Sequence, residues 1–286
     1  MNSASVNHFR KRSNSQRRWQ ETAVSLLKKY LEGFYKAGKN EHEKSEYEYY
    51  EIDSQDKNFA DSYRITIEES QIEIANKLEE LKKLIESRKL LTDGKWQFNN
   101  LTAIGFNRHL YLPLLALDGK GLIKISPVAL NEGEREFVED LQQFYERNPN
   151  YFGEDRRELY LLRNQSKGKG VGFFEAGNFY PDFILWILRE DKQFVSFIDP
   201  KGILNLEHGI NNPKIKFHQT VKELEKSPNL SAKDISLNSF IISNTFLNQI
   251  AWRGSMSVSD FEKNHVFFQK EDRNQYIKKV IKLIEE

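Results

Sequence analysis

The chain has 286 residues, and its 43 Lys and Arg against 42 Asp and Glu leave a formal charge of +1, too small for nucleic-acid binding by net charge alone. The absence of cysteine excludes disulfide frameworks, thiolate zinc sites, iron–sulfur clusters and cysteine nucleophiles. A mean hydropathy of −0.68, no apolar run near the about 18 residues of a membrane span, and no apolar stretch behind the basic N-terminus predict a cytoplasmic chain with no membrane partner.

Near-neutrality is a cancellation. Arg10, Lys11, Arg12, Arg17 and Arg18 all precede the first acid, Glu21, so residues 1–20 form a basic flexible tail of charge +5 and residues 21–286 carry −4. Two roles stay open for the tail: salt-dependent contact with phosphates, or the solvated end of a linker. Residues 21–93 are expected to form a mostly helical connector. Val24, Leu26, Leu27, Tyr30, Leu31, Phe34 and Tyr35 recur at three- and four-residue spacing, which predicts a helix from Trp19. The block Glu41–Asp56, with seven carboxylates and one lysine, predicts a solvated connection. Alternating Tyr63, Ile65 and Ile67 predict a short strand, and the stripe from Ile72 to Ile85 an amphipathic helix ending near Ser87.

Residues 94–286 read as one α/β domain, a mixed central sheet flanked by helices. The apolar run Leu110–Leu115 must be buried, and His109 inside it is expected to be a hydrogen-bonded core residue. Asn131 with Glu134 three residues on has the form of a capping box, followed by Phe137, Val138, Leu141, Phe144 and Tyr145 at helical spacing. Strands are expected at Leu159–Leu162 and Val171–Phe174, around the glycine-rich Gly168–Gly172, and more strongly at Phe183–Leu188 and Phe194–Ile198, joined by the polar turn Arg189–Lys192. A helix around Lys216–Leu224, strands at Phe240–Ser243 and Val266–Phe268, and a closing helix from Tyr276 complete the pattern. Strands apolar on both faces need helices on both sides of the sheet.

The chemistry is concentrated between Phe179 and Gly202. Asp182 opens the first strong strand, and Asp199 and Lys201 close the second. A turn centred between Glu190 and Asp191 places Asp182 opposite Asp199, where opposed residues point to one face with Cβ atoms roughly 5 Å apart. Lys201, two residues on, shares that face. Two carboxylates at a strand end suit Mg²⁺ or Mn²⁺, a hard cation that would polarise a phosphodiester while the lysine orients or deprotonates the attacking water. Glu134 is the candidate third acid because it shares the core-facing stripe of Phe137, Val138 and Leu141, although its capping position explains it equally well. Glu136 and Glu139 read as solvated, and Gln219 as structural. The six histidines show no metal-ligand spacing.

These residues resemble the PD-(D/E)xK nuclease motif, with Asp182 as first acid, Asp199 as second and Lys201 as the lysine. The run Arg108-His-Leu-Tyr-Leu-Pro-Leu-Leu, the segment Ser126 to Glu134 leading into Phe137-Val-Glu-Asp-Leu, and Phe179-Tyr-Pro-Asp-Phe-Ile-Leu-Trp resemble the C-terminal endonuclease region of type III restriction-type DEAD/DEAH helicases. Leu26-Leu-Lys-Lys-Tyr-Leu-Glu-Gly-Phe-Tyr is similar to the connector before that region. The resemblance implies a restriction-endonuclease-like fold and Mg²⁺-dependent (or Mn²⁺-dependent) hydrolysis of DNA in a restriction or antiviral defence system, with Asp182, Asp199 and Glu134 on the metal. No nucleotide-binding motif accompanies it. The Gly168–Gly172 stretch lacks the Lys-Ser/Thr of a phosphate loop and reads as a turn, with Lys167 and Lys169 able to touch a DNA backbone. An ATP-dependent helicase or translocase, as a further domain or a subunit, is therefore the expected partner. The alternative is a non-catalytic DNA-binding or docking module that serves such a helicase.

Overall fold

The computed structural model describes residues 3–6, 25–29, 47–51, 56–60, 62–111, 113–119, 122–153, 156–165, 170–173, 179–190, 192–226, 234–273 and 275–286. The first elements are β1 (Ser3–Val6), β2 (Ser25–Lys29), β3 (Tyr47–Glu51), β4 (Tyr63–Thr66), α1 (Ile72–Glu86), α2 (Lys89–Asp93), β5 (Lys95–Phe98), β6 (Leu101–Ile104), β7 (Leu114–Leu117) and β8 (Lys124–Ser126). There follow α3 (Glu132–Arg147), α4 (Pro149–Gly153), β9 (Glu158–Arg163), β10 (Phe183–Arg189), β11 (Lys192–Lys201), α5 (Pro213–Glu225), β12 (Ile235–Ser243), α6 (Val258–Glu262), β13 (Val266–Phe268) and α7 (Tyr276–Ile284).

The second half is a five-stranded mixed sheet in the order β13-β12-β11-β10-β9. Strands β9, β10 and β11 form an antiparallel meander, and β12 and β13 add parallel to β11. Side chains alternate across it. Phe183, Leu185, Ile187 and Ile198 pack against Phe137, Val138 and Leu141 of α3 and against α7, while Ile184, Trp186, Val195 and Phe197 pack against Phe217 and Val221 of α5. Both faces are thus covered, which accounts for the unbroken apolar strands of the sequence. The α/β expectation holds, and β9, β10, β11, β13 and α7 lie where the apolar patterns put them. The expected strand Val171–Phe174 reduces to a bridge between Phe173 and Phe179, with Phe174 outside the described residues.

The capping box is formed. The Asn131 side chain accepts from the Glu134 N–H at 3.1 Å, and the Glu134 carboxylate accepts from the Asn131 N–H at 3.0 Å. His109 is buried with its ring between the Tyr111 carbonyl and the Arg163 N–H, the latter at 2.8 Å, as a core histidine should be.

The mostly helical connector needs correction. Strands β2 and β3 pair antiparallel, from Ser25 opposite Glu51 to Lys29 opposite Tyr47, where a helix from Trp19 and a solvated link were expected. Tyr-rich 47–51 has high strand propensity, and once it offers a ladder the segment 25–29 satisfies its backbone groups across it. Strand β4 pairs with β1 and β8, and β5-β6-β7 form an antiparallel sheet. Helix α1 sits where expected and buries Ile74, Leu78 and Leu81 with Tyr63, Ile65 and Leu101. The five basic tail residues, the rest of the Trp19–Tyr35 helix, and Lys167 and Lys169 lie outside the described residues. Among the described residues no helix is long and apolar enough to cross a membrane.

Candidate active site

The β10–β11 hairpin runs from Phe183 opposite Ile198 to Arg189 opposite Lys192, and Glu190 in its turn takes a left-handed φ of 52°. One step further along this register stand Asp182 and Asp199, the two residues that the turn position predicts to be opposed. Their carboxyls face each other closely enough that Asp199 bears on the protonation of Asp182. Asp199 and Lys201 continue the alternation of Val195 and Phe197, so both lie on the α5 face of the sheet. The Lys201 Nζ stands 3.5 Å from Asp199 Oδ2, with Asp199 buried and Lys201 partly so.

Burial drives the Asp182 carboxyl well above the usual carboxylate range; the charge of Asp199, the hydrogen bond to it and the charge of Glu134 push the same way, and Arg163 offsets part of the shift. The Asp182 carboxyl therefore favours its protonated form in the absence of a cation. Their donor set is all oxygen, half-shielded from water and open to one ammonium, which fits a hard divalent ion with positions left for substrate oxygens.

Glu134 approaches from the other layer. It is buried at the start of α3, caps that helix, and accepts from Arg163 Nη2 at 3.4 Å. Its carboxyl is raised by burial, lowered by Arg163 and by the Asn131 N–H, and raised again by Asp199, so it stands within electrostatic reach of the aspartate pair. Among the described residues no three His, Asp or Glu side chains are gathered at ion-holding distance. The two aspartates meet, while Glu134 turns to Arg163. Alternation along β9 is the cause: Leu159 and Leu161 face α3, so Arg163 does too, beside Glu134.

Sequence reasoning missed two neighbours, Lys214 and Arg163. Lys214 occupies the first turn of α5, where the Asn212 side chain accepts its backbone N–H at 2.9 Å and Pro213 leads the helix. Its ammonium feels the like charge of Lys201 and lies 5.6 Å from the Phe179 ring. Burial and the charge of Lys201 pull its pKa down, against the lift from Asp199 and Asp182. The signal was Asn212-Pro213, an N-cap and a first-turn proline that start the helix before Lys216 and so bring Lys214 over the strand end.

Other expectations divide. Glu136 and Glu139 are not free in solvent: Glu139 pairs with Lys95 at 2.6 Å and Arg135 at 3.0 Å, and Glu136 lies 3.8 Å from Arg273. Gln219 is exposed on α5. Gly172 passes so close to the Tyr180 ring that a Cβ would stand 2.3 Å from it, a packing reason for glycine that involves no phosphate. Compared with family models, curated proteins and solved structures, the chain matches none.

Proposed function

We propose that this chain is a metal-dependent endonuclease that hydrolyses DNA phosphodiester bonds. Asp182 and Asp199 are the ligands of Mg²⁺ or Mn²⁺, Glu134 is a third carboxylate, and Lys201 is the cation beside the reacting water. The observation that carries this reading is the Asp182–Asp199 pair, two carboxyls opposed at a strand end with an ammonium 3.5 Å from one of them. Such a pair destabilises a fold unless a cation relieves it, and a strongly raised carboxyl beside a second acid favours a functional over a structural role.

A bound ion would polarise the phosphodiester and stabilise charge on the departing oxygen. Lys201 orients water against the phosphorus and donates to an oxygen that gains charge, and Lys214 brings a second positive group to the same phosphate. A mixed sheet with helices on both faces and acids at adjacent strand ends agrees with a restriction-endonuclease-like fold. The resemblance of the Phe179–Trp186 and Ser126–Glu134 segments to type III restriction-type helicase nucleases supports DNA as substrate, an ATP-dependent helicase or translocase as partner, and a place in restriction or phage defence.

A second reading, a non-catalytic DNA-binding or docking module, is favoured by one observation, the engagement of Glu134 by Asn131 and Arg163. Supercoiled plasmid with Mg²⁺ or Mn²⁺ separates the two. Wild type should nick it, and Lys201→Ala and Asp182→Asn should lose about 100-fold or more in rate. Equal nicking by all three proteins would sink the nuclease assignment. DNA binding with no cleavage, even with a motor subunit and ATP present, would establish the second reading.

A further inference from the structure

Arg163 is the cation paired with Glu134. Its Nη2 lies 3.4 Å from Glu134 Oε2 and 3.4 Å from the Ala129 carbonyl, and its Nη1 donates to the Val128 carbonyl. The backbone beneath it is fixed as well, since its N–H donates to His109 Nε2 at 2.8 Å and the next residue, Asn164, donates its N–H to the Asp182 carbonyl at 2.8 Å. The guanidinium also bears electrostatically on Asp182. One positive charge therefore serves two of the three candidate ligands, from a strand position whose alternation sets it on the Glu134 side of the sheet.

A divalent ion at Asp182 and Asp199 would meet this charge. If it takes Glu134 as a third oxygen ligand, the Glu134 carboxylate has to turn away from Arg163, because a divalent ion and a guanidinium on one carboxylate repel at short range. Resting on the metal-dependent reading above, we propose that Arg163 is an internal cation that holds Glu134 in the metal-free site and yields it to the arriving ion. Ion binding is then coupled to release of the Arg163–Glu134 pair. Arg163 acts as a positioning residue: it keeps a third carboxylate poised near the aspartates and stops the three acids from repelling one another before the ion arrives. The two carbonyls of Val128 and Ala129 give the guanidinium somewhere to remain when Glu134 swings away.

Calorimetric titration of the full chain with MnCl₂ tests the coupling. Arg163→Gln should bind Mn²⁺ about tenfold more tightly than wild type, the scale of an ordinary coupling between two sites, and Arg163→Lys should lie near wild type. Unchanged or weaker binding by a folded Arg163→Gln would overturn the coupling while leaving the metal site standing. No binding by wild type at millimolar Mn²⁺ would overturn the metal reading and this proposal together. Should Arg163→Gln fail to fold, the wild-type Arg163 Nε–Hε NMR signal decides. The coupling requires it to move on saturation with Mg²⁺, and a stationary signal alongside shifting Asp182 and Asp199 resonances overturns it.

Discussion

Lys201 and Lys214 bring two like charges to bear on each other beside two aspartates, an arrangement that is stable only while something negative holds the ammonium groups together. Phosphate oxygens would do so better than Asp199 alone. Lys214→Ala should therefore slow plasmid nicking roughly tenfold or more, the effect of losing one aimed positive group. It should leave the melting temperature unchanged or slightly higher, because it removes a repulsion with Lys201. A nicking rate equal to wild type would take Lys214 out of the reaction. Residue by residue, legibility followed locality. Asp182 and Asp199 could be paired from the sequence because one short turn fixes their register. Lys214 was not read from apolar spacing, because the stripe of α5 starts after the helix does; only the Asn212-Pro213 start marks its first turn. The partner of Glu134 depends on which face of β9 Arg163 occupies, and that is set by pairing with β10 and not by any pattern near Glu134.

Among the elements, α3 joins stability to chemistry through its first turn. Asn131 and Glu134 satisfy one another's backbone N–H groups, and the same Glu134 carboxylate reaches Arg163. Asn131→Ala should destabilise the protein by about 1 kcal/mol in urea denaturation, and Asn131→Ser should recover most of it. A loss of no more than a few tenths would show that neighbours, and not the cap, hold the helix start. Elements with long apolar patterns, such as α1, β10 and α7, were readable because burial imposes the period. The β5–β6 hairpin was overlooked, since four-residue strands around Asn99 and Asn100 carry too few alternations to stand out. Strands β2 and β3 were misread for a related reason: 25–29 has helix-compatible spacing, and only its pairing partner makes it a strand.

At the level of the whole molecule, buried neutral histidines tie distant segments together and set the acid limit of the fold. Burial lowers His109 to about 3 and His265 to about 4, with a smaller opposing effect from their backbone hydrogen bonds. His109 links the loop after β6 to β9, and His265 stacks on Phe240 of β12 and on His218 of α5. Both stay neutral in the folded chain, whereas the unfolded chain takes up protons below about pH 6.5. Stability is therefore present above that pH and drains away as pH falls toward the folded values. Between pH 7.5 and 5.5 the two rings together should contribute a loss of roughly 2–3 kcal/mol, set against an opposite gain from the raised Asp182 carboxyl, and His109→Gln should make the net pH slope in paired urea melts more favourable to low pH by about half of the histidine contribution. A His109→Gln slope equal to that of wild type over this window would show that the His109 ring is not held neutral. The hairpin bears on the molecule in another way. Asp182 and Asp199 stand one step past the end of the β10–β11 ladder, whereas Glu134 and Lys214 are brought by helices packed on opposite faces. Sliding of either helical layer changes which charges surround the carboxyl pair without changing the spacing of the pair, so the ligands are mechanically insulated from the parts that tune them.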